Sequence, residues 1–333
     1  MLKVGLLGAG FMGTTHAAGW INTPAQFAGV YALDEDKARK LAHQYDLTLF
    51  RSYEDLLQQV DVVDICTPTH LHYEHVMQAV AAGRHIICEK PLALTVAQAR
   101  EMVAACEKAG VKLLVAHVVR FFPEYAQAKF AVERGEIGNV AVVRLTRASF
   151  QPKLAADNWF LDVGKSGGMM LDLMIHDFDY ARWVAGDVDS VFAKSVRSAT
   201  PNSPSDYGIA ILRHVNGAIS NVEGGWAYPP PMFRTALEIA GDAGLIEHPA
   251  DSSKPLGIYL KQTPGSDAPD VGLPMSPLLE DPYTTQVKHF HDVLTKGIPS
   301  RVTAQDGLAA VQIARAAILS AQTGRQVKIA EVQ

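Results

Sequence analysis

The chain has 333 residues, of which 48% are hydrophobic and 20% charged, and its formal net charge is −5. A chain of this size and composition buries a substantial core, which excludes a disordered polymer and a metal-stapled miniprotein. Thirty basic against thirty-five acidic side chains, with no block of like charge, argue against a nucleic-acid partner or an anionic membrane surface.

The three cysteines, Cys66, Cys88 and Cys106, have no CxxC spacing. An odd number without such spacing predicts reduced, buried thiols and therefore a cytoplasmic location. No apolar run approaches the roughly 18 residues that a membrane span requires. The first seven residues, MLKVGLL, fit a short signal peptide as well as a buried strand, and the strand agrees better with the glycine-rich residues directly after them.

Residues 1–120 alternate short apolar runs with helical segments. The runs predict strands over Leu2–Leu7, Phe27–Leu33, Val62–Cys66, Arg84–Cys88 and Val111–Val115. Helices are predicted over Phe11–Ile21, Asp36–Tyr45, Ser52–Gln59, Leu71–Ala82 and Thr95–Gly110, with capping residues at Ser52 and Thr95. Apolar strands that are each followed by a helix indicate a parallel sheet covered on both faces, so this part is predicted to be a doubly wound α/β domain.

Beyond Pro123 the pattern changes. Helices are predicted over Glu124–Arg134, Gly167–Val184, Tyr283–Thr295 and Thr303–Thr323, a long strand over Val140–Phe150, a last strand over Val327–Ile329, and a surface loop over 261–282. Between Val188 and Leu260 several strand-like runs follow one another without intervening helices. Consecutive strands favour antiparallel pairing, so residues 121–333 are predicted to form an α+β domain on a largely antiparallel sheet.

A glycine-rich turn, GAGFMG at residues 8–13, comes directly after the first strand and opens the first helix. In such a turn the first glycine makes the bend, the second lets a pyrophosphate approach the backbone, and the third lets helix and strand pack closely. Asp34 is placed where an acidic side chain binds an adenosine ribose and repels a 2′-phosphate. The pattern predicts NAD in preference to NADP, and the alternative is an ordinary glycine turn followed by an acidic helix start.

Two further motifs lie at the same carboxyl edge of the predicted sheet. The CTPTHLH run at 66–72 predicts a loop that lines the cofactor with one hydrogen-bonding histidine; the alternative, a metal site on His70, His72 and His75, lacks a carboxylate at suitable spacing. The tripeptide Glu89-Lys90-Pro91 ends the fifth predicted run. Its lysine can direct an ammonium group at a substrate oxygen, and a solvated charged turn is the alternative.

The predicted helix over Gly167–Val184 contains Asp172 and His176. An i,i+4 spacing places both on one helical face, among apolar neighbours that would partly desolvate them. Imidazole, with an ordinary pKa of ~6.5, takes a hydroxyl proton near neutrality, and a carboxylate orients it and stabilises its charged form. The alternative is an Asp–His pair on the helix surface. Asp179, one turn further, either orients the ring or is solvated.

Together these motifs resemble the Gfo/Idh/MocA oxidoreductases, the family of glucose–fructose oxidoreductase and inositol dehydrogenase. The resemblance runs nearly from end to end and includes HVVRFFP and DPYTTQVKHFHDVL. It implies an NAD(P)-binding Rossmann domain over 1–120 and a substrate and oligomerisation domain over 121–333, whose open sheet forms homodimers or homotetramers. It also implies that Lys90 contacts the substrate hydroxyl, with His176 as acid and base and Asp172 as its partner.

The resemblance assigns binding residues as well. The cofactor would be lined by Gly8, Gly10, Phe11, Met12, Gly13, Asp34, Thr67, Pro68, His72, Glu89 and Lys90. Weaker assignments to a sugar pocket, for which a packing role is the alternative, are Arg120, Asn158, Trp159 and Tyr283. A cis peptide bond before Pro91 is another feature of relatives, and no metal is expected.

The reaction these features imply is oxidation of a secondary alcohol on a cyclitol or sugar with NAD, or the reverse reduction. The helix with Asp172 and His176 most resembles that of inositol 2-dehydrogenases, which makes a cyclitol the first substrate hypothesis. One rival is a glycoside hydrolase of the same family that retains NAD. The other is a non-catalytic dinucleotide-binding regulator, from which the lysine or the Asp–His pair would be missing.

Overall fold

The computed structural model describes residues 1–150, 159–197, 206–228, 233–248, 257–260 and 280–332. Its strands are β1 (Lys3–Leu7), β2 (Gln26–Tyr31), β3 (Thr48–Leu49), β4 (Val62–Ile65), β5 (His85–Glu89), β6 (Leu113–Ala116), β7 (Val140–Ala148), β8 (Val188–Val196), β9 (Tyr207–His214), β10 (Ile219–Gly225), β11 (Arg234–Gly241), β12 (Gly244–His248), β13 (Gly257–Leu260) and β14 (Val327–Lys328). Its helices are α1 (Phe11–Trp20), α2 (Glu35–Tyr45), α3 (Tyr53–Gln59), α4 (Thr69–Ala81), α5 (Val96–Ala109), α6 (Pro123–Glu133), α7 (Val163–Ser166), α8 (Met169–Asp172), α9 (Ile175–Ala185), α10 (Pro282–Thr295) and α11 (Ala304–Thr323).

The contacts divide the chain into two compact units, and 280–311 belongs with the N-terminal one. Unit 1 consists of Met1–Phe121 and Glu280–Val311, and unit 2 of Phe122–Leu279 and Gln312–Gln333. This grouping differs from the linear division at residue 120. Within unit 1, α10 lies so close to α1 that a Cβ on Gly19 would stand 3.3 Å from the Val287 side chain. The predicted loop at 261–282 falls mostly outside the described residues.

Unit 1 contains the predicted doubly wound α/β fold. Its six strands lie in the order β3-β2-β1-β4-β5-β6, and every neighbouring pair is parallel. The order reverses between β1 and β4, and ligands of open α/β sheets bind at the carboxyl ends of the strands at such a point. A cluster around Leu6, Val30 and Leu41 packs α1 and α2 against the sheet. Strand β3 was not predicted, because two residues are too few to show a hydrophobic periodicity.

The helix starts of unit 1 depend on local sequence. Thr95 and Gln98 form the reciprocal capping box that the sequence predicts for α5. Ser52 caps α3 by accepting a hydrogen bond from the Asp55 backbone N–H at 3.0 Å. The side-chain oxygen of such a cap satisfies one of the N–H groups that the first helical turn leaves without an intrahelical partner. These ends are therefore specified locally.

Unit 2 is built on the predicted, largely antiparallel sheet. Its strands lie in the order β13-β12-β11-β7-β10-β9-β8-β14, and of these pairs only β7 and β10 run parallel. Helix α8 and the start of α9 pack closely on it where glycines leave room: a Cβ on Gly208 would meet Met170 at 2.7 Å, and one on Gly224 would meet Met174 at 2.6 Å. Methionine side chains thus fill the space above these strands.

The single helix predicted over Gly167–Val184 is wrong. The structure contains α8 and α9, separated by Leu173 and Met174. The His176 backbone N–H donates to the Leu173 carbonyl oxygen, three residues back, at 3.4 Å. This bond stands in place of the α-helical hydrogen bond to the carbonyl of Asp172, four residues back. Nothing in the hydrophobic pattern marks this break, because both sides of the turn are apolar. The i,i+4 spacing of Asp172 and His176 therefore does not by itself place them on one helical face.

The three cysteines are free and buried, as predicted. The described helices include none that combines the length and the apolar character needed to cross a bilayer. Within the first seven residues, MLKVGLL, Lys3–Leu7 form strand β1, with four of its five residues buried.

Candidate functional site

The glycine-rich turn has the form that a dinucleotide pyrophosphate requires. Gly8 has a φ of +106°, and a Cβ there would lie 2.7 Å from the Cys66 carbonyl oxygen; a Cβ on Gly13 would lie 2.0 Å from the Gly8 carbonyl oxygen. A Cβ on Gly10 would meet no atom of the described residues within 4 Å, so the turn leaves open space there. The start of α1 has no side-chain cap from the described part of the chain, and the dipole at a helix start favours an anion. The turn therefore fits the phosphates of NAD.

Phe11 and Met12 have different surroundings. The Phe11 ring is 80% exposed at the first position of α1. Met12 is half-buried and packs against the apolar cluster under the turn. Phe11 is thus available to a bound ligand, while Met12 mainly supports the turn from below.

Asp34 lies beyond the end of β2, which stops at Tyr31, and forms the N-cap of α2. Its Oδ1 accepts a hydrogen bond from the Lys37 backbone N–H at 3.1 Å, and the Lys37 ammonium lies 2.5 Å from Oδ2. The Lys37 ammonium and N–H hold the pKa of Asp34 below its usual value. The exposed carboxylate is therefore ionised at neutral pH and available to a ribose diol.

The segment after β4 is held in place by two histidines. Thr67 and Pro68 are half-buried, and α4 begins directly after them, two residues before the predicted helix start, so His70 lies on the helix together with His72 and His75. The two ring nitrogens of buried His72 lie 2.8 Å from the carbonyl oxygens of Thr67 and Pro91. His75 Nδ1 lies 3.1 Å from the Thr67 hydroxyl, and burial lowers the pKa of His75 to about 4.

His72 ties the segment after β4 to Pro91, because its two ring nitrogens lie 2.8 Å from the carbonyl oxygens of Thr67 and Pro91. Its contact with the cofactor stays a prediction. The metal alternative on the three histidines finds no support among the described residues. Among the residues that the structure describes, the ligand-type side chains close enough to share an ion are His16, Asp64 and Cys66.

Lys90 follows β5 immediately, at the same sheet edge as Gly8 after β1 and Thr67 after β4. Because neighbouring strands are about 4.8 Å apart, these three carboxyl ends form one continuous edge. Lys90 is half-buried, its peptide bond to Pro91 is cis, and its backbone N–H donates to Glu89 Oε2 at 3.1 Å. Glu89 is itself buried, so it supports the lysine from inside the unit.

In unit 2, Asp172 is the last residue of α8 and His176 lies in the first turn of α9. Asp172 is buried and His176 half-buried, and the intervening residues Leu173, Met174 and Ile175 are buried, which confirms the predicted apolar surroundings. Asp179 is only 1% exposed, so the solvated alternative for this residue is wrong.

A buried ion pair next to His176 was not predicted from the sequence. Arg147 on β7 donates to both oxygens of Asp177, from Nε at 2.7 Å and from Nη2 at 3.1 Å. Burial raises the pKa of Asp177, and the Arg147 charge opposes that shift. The pair ties α9 to the sheet at the residue directly after His176. Of the two arginines of β7, Arg144 and Arg147, only Arg147 falls in the register of the buried Val143 and Leu145, and that register was the available signal.

The four weaker assignments have different outcomes. Arg120 is 1% exposed and donates to the Arg301 carbonyl at 2.8 Å and to Asp306 at 3.3 Å, which is a packing role inside unit 1. Trp159 stacks on Phe160 with ring centroids 4.0 Å apart. Tyr283 is half-buried in the first turn of α10. Asn158 lies outside the described residues.

Comparison with known proteins agrees with this geometry. The profile described as "Oxidoreductase family, NAD-binding Rossmann fold" matches residues 2–117, and the "GFO/IDH/MocA C-terminal domain" profile matches residues 125–247. The chain is similar to myo-inositol 2-dehydrogenase from Thermotoga maritima, with 29% identity over 99% of both chains.

Two solved structures share the fold over nearly the whole length. A probable dehydrogenase from Thermotoga maritima has a TM-score of 0.85 at 29% identity, with both chains covered completely. Levoglucosan dehydrogenase in complex with NADH and levoglucosan has a TM-score of 0.84 at 25% identity, covering 98% of this chain and 99% of the other. The chain belongs to the Gfo/Idh/MocA oxidoreductase family, with the family's NAD-binding Rossmann fold in its N-terminal part.

Proposed function

We propose that the protein is an NAD-dependent dehydrogenase that oxidises a secondary alcohol of a cyclitol or sugar, or reduces the corresponding ketone. The observation that carries this proposal is the position of Lys90, half-buried at the carboxyl end of β5 on the sheet edge that begins with the Gly8 turn. An ammonium group there can act on an oxygen next to a nicotinamide. Full-length similarity to a myo-inositol 2-dehydrogenase supports the substrate class.

The residues of this chain have separate parts in the chemistry. NAD, when bound, supplies the hydride acceptor. His176 takes the proton from the substrate hydroxyl, and Asp172 stabilises the imidazolium that results. Lys90 stabilises the negative charge that develops on the substrate oxygen. The alcohol thereby becomes a ketone, and the hydroxyl proton leaves through His176.

A substrate screen tests the proposal directly. Cyclitols, aldoses and sugar acids are each incubated with protein and NAD, and reduced nicotinamide is followed by its absorbance. We expect turnover with a polyol or sugar, and a cyclitol is the first compound to test. An absence of nicotinamide reduction with every class would contradict the proposal.

Cofactor stoichiometry separates the two rivals. A dehydrogenase consumes one NAD per turnover, whereas a hydrolase of this family would cleave glycosides with its NAD retained. A non-catalytic regulator would bind NAD and turn over nothing.

We also place the enzyme in the cytoplasm, where its three buried thiols stay reduced.

Replacing Asp34 by serine should raise KM for NAD about 10- to 100-fold, because the lost charged hydrogen bonds to a ribose contribute about 1.5–3 kcal/mol. Serine also caps helices well, so α2 should remain intact. The kinetics are measured with NAD and with substrate varied separately. Asp281→Ser, at the N-cap of α10, is the matched control and should leave KM for NAD unchanged. Equal changes in both KM values for Asp34→Ser would remove this role.

We also propose that the protein is a homodimer or homotetramer formed through the unit 2 sheet. One face of β8, β9 and β10 exposes five large apolar side chains, each 37–58% exposed: Phe192, Val196, Ile209, Ile211 and Ile219. Several exposed apolar side chains on one face of a sheet are typical of a protein interface. Sedimentation should show an oligomer, and Ile211→Lys should dissociate it. A monomeric wild-type protein would contradict the proposal.

A further inference from the structure

A buried polar cluster lies under the edge that carries Lys90. It contains His16 from α1, Asp64 from β4 and Glu89 from the end of β5, with exposed fractions of 0%, 0% and 5%. Transfer of an ionised side chain into a protein interior costs several kcal/mol unless partners compensate it. Asp64 lies in the middle of an otherwise apolar strand, so its charge needs an explanation.

Three donors surround the Asp64 carboxylate. Trp20 Nε1 lies 2.7 Å and His16 Nδ1 2.9 Å from Oδ2, while the Cys66 thiol lies 3.6 Å from Oδ1. Burial raises the pKa of the Cys66 thiol, so the sulfur keeps its proton and serves as a weak donor. The ring proton of His16 is therefore assigned to Nδ1, the nitrogen that faces this acceptor.

The second ring nitrogen of His16 lies close to Glu89. His16 Nε2 lies 3.0 Å from Glu89 Oε1, at ion-pair distance, and Glu89 Oε2 accepts the backbone N–H of Lys90 at 3.1 Å. Burial alone lowers the pKa of His16, but the charge of Asp64 and the hydrogen bonds at Nδ1 raise it well above its ordinary value. An imidazolium between two carboxylates explains both contacts.

We propose that His16 is a positioning residue for Lys90: with Asp64 and Trp20 behind it, the ring holds the Glu89 carboxylate so that Glu89 fixes the Lys90 backbone. The proposal rests on the proposed function of Lys90 in hydride transfer. The series from Trp20 to Glu89 is buried throughout, and it reaches the lysine through the bond from the Lys90 backbone N–H to the Glu89 carboxylate. A series of close contacts between buried polar groups confines a reacting group more tightly than packing alone.

Other titratable groups also face this cluster. The thiols of Cys66, after β4, and Cys88, on β5, face the cluster from the sheet, and the charges of Glu89 and Lys90 act on His72 of α4. Burial raises the pKa of both thiols, so neither adds charge near neutrality. The charges that matter are those of Asp64, His16, Glu89 and Lys90.

Two substitutions at position 16 separate positioning from stability. The side-chain amide of asparagine can replace Nδ1 and keep the bond to Asp64, whereas that of glutamine can replace Nε2 and keep the contact with Glu89. His16→Asn should lower kcat about 10- to 100-fold with KM for NAD nearly unchanged, because misplacement of a reacting group by about 1 Å costs up to 100-fold. His16→Gln should restore kcat to within about threefold of wild type.

The controls separate this inference from the proposed function. His43→Asn, on the exposed side of α2, should leave kcat unchanged. If Lys90→Ala abolishes turnover while His16→Asn preserves it, the positioning role is wrong and the proposed function stands. If Lys90→Ala retains turnover, the proposed function of Lys90 itself fails. Equal losses of kcat in His16→Asn and His16→Gln would also overturn the positioning role.

A spectroscopic readout is independent of activity. In cofactor-free protein labelled with nitrogen-15 histidine, the His16 ring should show both nitrogens protonated at neutral pH, with its signals identified by their loss in His16→Gln. An unprotonated Nδ1 would overturn the proposal. So would a stoichiometric transition metal bound to His16, Asp64 and Cys66, whose ligand atoms lie within 4.8 Å of one another.

Discussion

Replacing Lys90 by alanine is expected to lower kcat about 100- to 1,000-fold, with KM for NAD changed by no more than about threefold. The physical reason is that a preorganised charged donor next to a developing negative oxygen is worth this much when it is lost. A donor that acts only in the transition state affects kcat and leaves cofactor binding intact. Steady-state kinetics with NAD and substrate varied separately give both parameters.

A matched control guards against an unspecific effect of charge removal. Lys40→Ala, at an exposed position of α2, removes the same charge from the same unit and should behave as wild type. Near-normal turnover in Lys90→Ala would show that the lysine at the end of β5 is a solvated turn residue, the alternative that the sequence left open.

Replacing His176 by alanine is expected to lower kcat about 100- to 10,000-fold, the usual range for loss of a general acid–base group. The wild-type rate of alcohol oxidation should also rise with pH through one ionisation and then level off, because only the unprotonated ring can accept the hydroxyl proton. This ionisation should be absent from the His176→Ala profile. The measurement is kcat/KM for oxidation across the pH range in which the protein is folded.

His248→Ala is the control for the His176 experiment. It makes the same substitution in the same unit, on β12, and should preserve both the rate and the pH profile. If the ionisation persisted in His176→Ala, another group would be the base, and the role of Asp172 as its partner would fall with it.

Much of unit 1 could be predicted from sequence because its signals are local. An apolar run such as Val62–Ile65 is specified within a few residues, and so are the glycine turn after β1 and the capping box at Thr95. The edge on which Gly8, Thr67 and Lys90 lie could be predicted too, since parallel strands that alternate with helices place their carboxyl ends together.

The errors lie where a contact over a long stretch of chain overrides local pattern. The helix predicted over Gly167–Val184 is interrupted at Leu173 and Met174, where Met170 and Met174 pack onto glycines of β9 and β10. For Arg120, which the resemblance assigned to a sugar pocket with packing as the alternative, the structure shows hydrogen bonds to Arg301 and Asp306, far along the chain. Local sequence patterns carry no information about such distant partners.

By itself the sequence determined the doubly wound unit and its phosphate-binding turn, since both depend on residue types at short spacing, and it marked Lys90, Asp172 and His176 as candidates for the chemistry. Only the tertiary structure decided that His16 meets Asp64, 48 residues away, and then Glu89. Their meeting depends on strand order, which places β4 between β1 and β5. Side-chain spacing along one helix or strand carries information about that element alone. The partners of a buried charge depend on which elements the folded unit brings next to it.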